Sequence, residues 1–224
     1  MDLDDARRLL KSGDPAAARG LVIAVAERLD SLATQVWAFG LAEGPRRALA
    51  IVAQMGAELA VGTALLYEAG RYYAGAALVR QLVEVEYLLF LFASDAEEPE
   101  RWLSASPEEA RRMFKPAVMR DRARGQFRSE EYASHCEMGG HPRLRGHVLL
   151  REHHGAETVP SGSEPFDPAV LWVDLAQHVE RMWGHYVGAV TRHSPSNVYA
   201  DRFNEVEELF EKWRAAGPPG PPHI

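Results

Sequence analysis

Apolar residues recur at intervals of three and four along most of the chain, and this period constrains the fold more than any other feature. One such stripe consists of Val22, Val25, Leu29, Leu32, Val36 and Phe39. That spacing places apolar side chains on one face of an α-helix. Alternating β-branched runs joined by Asn-Gly or Asp-Gly, which would indicate β-hairpins, are nearly absent from the sequence. The pattern therefore predicts an all-α protein.

Proline and glycine divide these stripes into separate helices. Asp14 followed by Pro15 predicts a helix start, because aspartate caps the first turn and proline suits its first position. Gly44-Pro45 ends that helix, and Gly70 lies in a turn before the third long helix. The later helices are expected at about 72–93, 107–124 and 126–138.

A long region rich in Gly, Pro, His and Ser, residues 139–167, then interrupts the helical pattern. A loop of that length in a compact domain is typically functional or disordered. Asp167-Pro168 starts a further helix that ends at Ser194-Pro195, and a last stripe runs from Phe203 to Trp213. The sequence therefore predicts an antiparallel helical bundle with a long loop before the two C-terminal helices.

The length and composition of the chain suit one domain. Hydrophobic residues make up 46% of its 224 residues, which is enough for a packed core, so we expect a single helical-bundle domain over residues 1–216. The Pro/Gly-rich tail, residues 217–224, is predicted to be disordered. The net charge of −7 argues against tight non-specific binding of nucleic acid, although it leaves room for a local basic patch.

Short-range features disfavour several classes of protein. The single cysteine, Cys136, excludes an internal disulfide and a cysteine-rich metal site. The acidic N-terminus lacks the regions of a signal peptide, and the most apolar stretch, residues 82–93, is too short to span a bilayer. We therefore expect a cytoplasmic protein of the bacterial type. The sequence has no Gly-rich phosphate loop, dinucleotide fingerprint or nucleophile elbow, so no cofactor is predicted.

Arg80 and Glu84 are the first candidate site residues. They lie four apart on the most apolar helix, so they are neighbours on one face that we expect to be at least partly buried. An arginine oriented by a glutamate can bind an anion. A buried ion pair can equally be a structural contact that fixes the register of two helices. The sequence leaves both interpretations open.

Arg128, His135 and His141 are the second set of candidates. Arg128 and His135 are seven apart and share one helix face, where histidine can serve as acid and base while arginine holds a phosphate during RNA cleavage. His141, just past the helix, is an alternative acid/base, although His141-Pro142 also fits a simple helix stop. The stretch from Arg111 to Arg128 is locally basic, which suits RNA contact and also a solvated helix face.

A metal site is a further possibility, because several potential ligands lie close in sequence. Asp174 and His178 are four apart on a later helix, and His185 is seven residues beyond His178. Two helices and a loop can together supply a metal site, although no recognised spacing such as His-Glu-x-x-His occurs. The remaining candidates in and before the long loop are His135, Cys136, Glu137, His141, His147, Glu152, His153 and His154.

Parts of the sequence resemble an uncharacterised family of bacterial helical-bundle proteins that is distantly similar to HEPN-type domains. The resemblance covers about residues 45–145 and depends on residues 65–72, on the Arg-x-x-x-Glu helix of residues 77–84, and on Tyr132 followed by His141-Pro142. Many HEPN domains are ribonucleases of toxin–antitoxin and phage-defence systems. Ser129 follows Arg128 where the HEPN pattern has Asn, Asp or His.

The resemblance implies that Arg80, Glu84 and His141 form a shared polar set and that Arg128 and His135 form the HEPN-like catalytic pair. We therefore expect a protein that binds or cleaves RNA in a toxin or defence setting, with RNA bound along the basic stretch. The competing hypotheses are a non-catalytic protein-interaction module and a histidine-based metal-binding protein. A homodimer is expected both for the RNA-binding protein and for the protein-interaction module, where it would form through the apolar helices.

Overall fold

The computed structural model describes residues 11, 13–38, 43–154, 157–160, 167–193 and 200–216. Within these residues the protein is all-α, apart from one small hairpin, and the predicted fold class is confirmed. The predicted disordered tail, residues 217–224, and Phe39 of the first stripe lie outside the described residues. The four long helices are α1 (Pro15–Ala38), α2 (Gly44–Glu68), α3 (Tyr72–Ser94) and α8 (Ala169–His193).

Shorter elements connect these helices and cover them. Between α3 and α8 lie α4 (Glu98–Ser104), α5 (Pro107–Met113), α6 (Pro116–Arg122), α7 (Ser129–His135), a π-helical turn (Cys136–Gly140), a 3-10 helix (Leu144–Leu149), and the antiparallel strands β1 (Arg151–His154) and β2 (Glu157–Pro160). The last helix is α9 (Ala200–Ala216).

The long helices form a bundle in which α1 packs on α2, α2 on α3, α3 on α8, and α8 on α1. Their predicted stripes supply the core: Val22, Val25 and Leu29 of α1 are fully buried. Many alanines on α2, such as Ala53 and Ala60, are also fully buried. These small side chains let the neighbouring helices approach closely, which explains why an alanine-rich helix can lie in the bundle.

Two predicted helix ranges differ from the observed ones. The helix expected over 107–124 is interrupted, because Pro116 has no backbone N–H and starts a new helix, α6. The helix expected over 126–138 is shorter, and it continues from His135 into the π-helical turn. The long loop predicted over 139–167 contains the 3-10 helix and the hairpin, whose four paired positions the sequence pattern did not indicate.

Helix α2 is long and apolar enough to cross a membrane, judged by length and composition alone. Half of its most apolar window is buried against the rest of the protein. A core helix of a bundle passes the same test, since both environments favour apolar residues.

The π-helical turn brings α7 against α3. Gly139 permits this contact, because a Cβ atom at this position would lie 2.6 Å from the backbone nitrogen of Ala77 on α3. A side chain of any size would push the turn away from the helix. Since His135 directly precedes the turn, this close approach fixes where its imidazole meets the bundle.

Candidate metal centre

Two ionisable side chains are buried in the bundle between α3 and α8. Glu86 is 1% exposed and His178 is fully buried, and the Nδ1 atom of His178 lies 2.8 Å from Oε2 of Glu86. A buried carboxylate is tolerated only with partners that offset its desolvation. The imidazole of His178 is one such partner, so the pair links the two helices through their polar atoms.

His135 of α7 meets this pair from the side. Its Nε2 atom lies 2.9 Å from Nε2 of His178, and only 11% of its side chain is exposed. The rings meet edge to face, with centroids 4.8 Å apart. Two imidazole nitrogens at this distance either share one proton or direct their lone pairs at one cation.

Two carboxylates complete the cluster, each one helical turn before a histidine. Oε1 of Glu131 lies 3.8 Å from Nε2 of His178. Asp174 places Oδ1 3.8 Å from Nε2 of His178 and Oδ2 3.9 Å from Nδ1 of His135. An i,i+4 spacing brings each acid onto the face of its histidine, so α7 and α8 each contribute a carboxylate and an imidazole.

Arg181, one turn after His178, closes the cluster on another side. Its Nε atom lies 2.9 Å from Oε1 of Glu86, and its Nη2 atom lies 2.5 Å from Oε1 of Glu131. Nη2 also lies 2.8 Å from Nδ1 of His178. The guanidinium therefore neutralises part of the charge of Glu86 and Glu131 and holds α8 against both α3 and α7.

The surroundings shift the pKa values of these groups. Burial, reinforced by the charge of Arg181, lowers the pKa of His178 to about 3, so this imidazole is neutral at physiological pH. Burial raises the pKa of Glu86, and Arg181 acts in the opposite direction by favouring the carboxylate. The cluster thus brings three carboxyl groups, those of Glu86, Glu131 and Asp174, together with the guanidinium of Arg181.

A cavity of about 350 Å³ opens beside the cluster. Its walls include Glu131, His135, Asp174 and Arg181, so the polar atoms of the cluster face a space that a small molecule can enter. The other lining residues are Tyr67, Ala76, Val79, Arg128, Glu130, Ser134, Met138, Leu171 and Gln177.

The predicted pair Arg128 and His135 lies on this cavity. Both residues line its wall, with Arg128 exposed and His135 directed at His178. Arg128 precedes α7 rather than lying within it, so the two residues are not on one helix face as the spacing suggested. The cavity brings them together instead.

Arg80 and Glu84 lie in a different cluster, which includes Tyr132 of α7. The Nη1 atom of Arg80 donates to Oε1 of Glu84 at 2.5 Å and to the hydroxyl of Tyr132 at 3.0 Å. The Tyr132 hydroxyl donates to Oε1 of Glu84 at 2.9 Å, and Arg120 lies over the tyrosine ring. All three bonded side chains are only partly buried. This triad joins α3 to α7 and fits the structural interpretation of the Arg-x-x-x-Glu motif.

His141 forms no side-chain hydrogen bond or ion pair with the described residues of either cluster. It is exposed beside a shallow surface depression that it lines with Cys136, Glu137 and Arg143, and its carbonyl accepts a hydrogen bond from the hydroxyl of Tyr73. His147 is also exposed, and its Nδ1 contacts the carbonyl of Leu144. The side chains of Glu152, His153 and His154 lie outside the described residues.

The basic stretch is partly used within the fold. Arg122 forms an ion pair at 2.5 Å with Glu98, whose side chain is fully buried, and Arg120 stacks on Tyr132. Arg111 donates to the carbonyl of Pro107. These contacts reduce the number of cations that the stretch can offer to RNA.

Sequence reasoning named His135, Asp174 and His178 as possible ligands but missed Glu86, Glu131 and Arg181. Two signals were available. A glutamate in the most apolar helix must have a buried partner, and Glu131 with His135 repeats the four-residue spacing of Asp174 with His178. His185, the other histidine of α8, is not in the cluster, since it packs edge to face against Phe90 and Phe127.

Comparison of the chain with models of protein families, with curated proteins and with solved structures finds no match. The resemblance to HEPN-type domains therefore stays a prediction. What the cluster can do chemically has to be argued from its own atoms.

Proposed function

We propose that this protein is a metalloprotein that binds a divalent transition-metal ion through Glu131, His135 and His178. The observation that supports this proposal is the convergence of three potential ligand atoms, one from each residue, within 4.8 Å of one another. Two imidazoles and a carboxylate are a common donor set for Zn²⁺, Fe²⁺ and Mn²⁺. The oxygens of Asp174, 3.8 Å and 3.9 Å from the two histidines, offer a fourth donor.

The environment of His178 suits a metal ligand. A ligating histidine usually donates its other ring N–H to a carboxylate, which fixes the tautomer and the ring orientation. If Nδ1 of His178 carries the proton, it donates to Glu86 and does not accept from Nη2 of Arg181, which lies 2.8 Å away. The Nε2 lone pair then points toward His135. The lowered pKa of His178 also favours binding, because a protonated imidazole cannot coordinate a metal.

The balance of acidic and basic groups in the cluster also favours a bound cation. Its carboxyl groups outnumber its one guanidinium among largely buried side chains, and a divalent cation would offset the excess of acids. Arg181 competes for Glu131, since its Nη2 atom lies 2.5 Å from the carboxylate. We therefore expect metal binding to draw Glu131 away from Arg181. Arg181 would keep its ion pair with Glu86.

The adjoining cavity suits a metal centre that acts on a small molecule. A bound ion of this kind supplies Lewis acidity toward water or a substrate oxygen. Glu130 on the cavity wall is a carboxylate outside the ligand set that can accept a proton there. We therefore propose that the protein is a metal-dependent enzyme. Metal binding is the property on which any such activity depends.

Metal analysis of the untagged protein tests this proposal. We expect about one equivalent of a transition metal by mass spectrometry after purification, or tight uptake of added Zn²⁺ in competition with a chromophoric chelator. His178→Gln and His135→Gln should each lower the affinity by about tenfold or more, because each removes one ligand. The matched control is His147→Gln, which removes an exposed histidine outside the centre. Equal affinities of all three variants would contradict the proposal.

A second candidate function is the HEPN-like binding or cleavage of RNA, with the protein acting as a cytoplasmic homodimer. Its support is that Arg128 and His135 line one cavity, with Arg181 nearby. The acids Glu130 and Glu131 on the same wall oppose phosphate binding, so this function ranks second. Cleavage of single-stranded RNA in excess chelator would support it. Undiminished cleavage by His135→Ala/His141→Ala protein would exclude these residues as the acid and base.

A further inference from the structure

Tyr67 and Arg128 are two of the polar residues that line the cavity without taking part in the metal centre, and they differ in charge and depth. We propose that the cavity binds a small organic anion, whose carboxylate or phosphate group is held by Arg128 and whose apolar body packs on the apolar lining residues with a further oxygen near Tyr67. This inference rests on the proposed metal centre, because a bound cation would offset the acids on the cavity wall.

Tyr67 is the first of these groups. It is 2% exposed, it lines the cavity, and its buried hydroxyl has no hydrogen-bond partner in the part of the chain that the structure describes. An unsatisfied buried hydroxyl is unfavourable, and a ligand oxygen that reaches it would supply the missing hydrogen bond. Burial, and then the charge of Asp174, raise the pKa of Tyr67 well above its ordinary value, so the hydroxyl keeps its proton and can donate it in a hydrogen bond.

Aromatic contacts hold the Tyr67 ring in place. Trp172 packs edge to face against it, with ring centroids 5.5 Å apart, and Tyr72 packs at 6.1 Å. Gly75 leaves the space that the ring occupies, since a Cβ atom there would lie 2.4 Å from Cε1 of Tyr67. The hydroxyl is thus fixed before any ligand arrives, which lowers the entropic cost of binding.

Arg128 is the second group. It is exposed on the cavity wall, and no described residue forms an ion pair or hydrogen bond with its side chain. Most other arginines near the centre have partners, as Arg181 has in Glu86 and Glu131. A guanidinium presents paired N–H donors that match the oxygens of a carboxylate or a phosphate, so Arg128 is suited to bind the charged end of a ligand.

The remaining wall is apolar. Ala76 and Val79 of α3, Met138 of the π-helical turn and Leu171 of α8 all line the cavity and are all buried. A cavity of about 350 Å³ is near the lower limit for small-molecule sites. The ligand class is therefore a small, partly apolar organic acid or phosphate ester, and a longer polyanion fits this space less well.

Calorimetric titration of the zinc-loaded full chain tests the inference, with benzoate, phenyl phosphate and the neutral benzyl alcohol as probes. We expect at least one anion to bind about tenfold or more tightly than the alcohol, because the guanidinium contact requires charge. Which anion binds distinguishes a carboxylate from a phosphate ligand. Arg128→Gln should remove about tenfold of that affinity, whereas Arg112→Gln, a matched change at an exposed arginine away from the cavity, should leave it unchanged.

Tyr67→Phe separates a role in ligand binding from a structural one. The substitution should weaken binding of the same anion by about fivefold, because it removes one hydrogen bond to the ligand. The melting temperature of the ligand-free protein should stay the same or rise, because no described residue bonds to the lost hydroxyl. A clear drop in melting temperature without a change in anion affinity would overturn the role of Tyr67.

Metal content measured in every sample keeps the two proposals distinguishable. Metal uptake without binding of either anion would overturn the ligand inference alone. Anion binding that depends on Arg128 in protein unable to take up metal would overturn the proposed metal centre and retain the ligand inference. Anions that bind wild-type and Arg128→Gln protein equally would also overturn the ligand inference.

Discussion

Nε2 of His178 lies 2.9 Å from Nε2 of His135, so two imidazoles that are 43 residues apart in sequence face each other, and His135 also lines the cavity. Neither residue would reach the other without the packing of α7 against α8 and α3. The proposed metal site therefore depends on the packing of the bundle, and metal affinity and the free energy of unfolding are its two separate readouts.

Glu86→Gln should lower metal affinity by about 10- to 100-fold, because Glu86 is the group that orients His178 toward the metal. Chelator competition with Zn²⁺ measures this. Glu84→Gln is the matched control, since it changes a carboxylate on the same helix that bonds to Arg80 and Tyr132 instead. If both variants bind Zn²⁺ like the wild type, Glu86 is not an orienting residue.

The free energy of unfolding of the metal-free protein should fall as the pH drops from about 6.5. The pKa of His178 is about 3 in the folded protein against 6.5 ordinarily, so the unfolded chain takes up a proton that the folded protein does not. Each such histidine contributes a slope of up to about 1.4 kcal/mol per pH unit. His185, whose pKa is also lowered by burial, acts with the same sign.

Glu86 opposes this effect, because its raised pKa makes the folded protein take up a proton more readily. Comparison with His178→Gln removes the contribution of His178. Glu86, Asp174, Glu131, His135 and Arg181 still face the substituted position. Urea unfolding between pH 6.5 and 4.5 should show a smaller slope for this variant. Identical slopes would show that His178 titrates normally.

Tyr132→Phe should destabilise the protein by about 1 kcal/mol, because the hydroxyl bonds to both Arg80 and Glu84 in a partly exposed position. Its metal affinity should match that of the wild type, since the triad is separate from the metal centre. Urea unfolding and chelator competition on the same preparation check both statements. A loss of metal without a loss of stability would place Tyr132 in the site.

Arg122→Ala should cost about 1–3 kcal/mol of stability, because it removes one of the arginines that pair with the fully buried Glu98. Arg112→Ala, at an exposed position, should change stability by less than about 0.5 kcal/mol. Thermal or urea unfolding gives both values. Similar values for the two variants would mean that the Glu98 cluster adds little to the fold.

Gly139→Ala should destabilise the protein by about 1–3 kcal/mol and weaken metal binding, because the new Cβ would lie 2.6 Å from the α3 backbone and displace the turn that follows His135. Gly184→Ala is the opposite case. No atom lies within 4 Å of a Cβ there, so helix propensity should stabilise α8 by up to about 1 kcal/mol. Chemical unfolding distinguishes them, and equal effects would contradict the close-approach argument.

The sequence alone determined the fold class and the long helices. Stripes such as Val22, Val25 and Leu29 predict a helix because burial of one face is a local, periodic requirement, and the structure buries all three. Helix starts at Pro15 and after Gly70 followed from residue geometry in the same way. Pro116 carries an equally local signal, and the longer predicted helix overlooked it.

The tertiary structure alone decided which polar residues meet. Arg128 and His135 share a cavity and Arg80 bonds to Tyr132, whereas His141 is exposed on the surface and its side chain bonds to none of these residues. Glu86 and His178, 92 residues apart, form a buried pair only because α3 packs on α8. Periodicity shows which face of a helix turns inward, but it does not show which helix that face meets. The partners of a buried charge are therefore fixed by packing between distant segments.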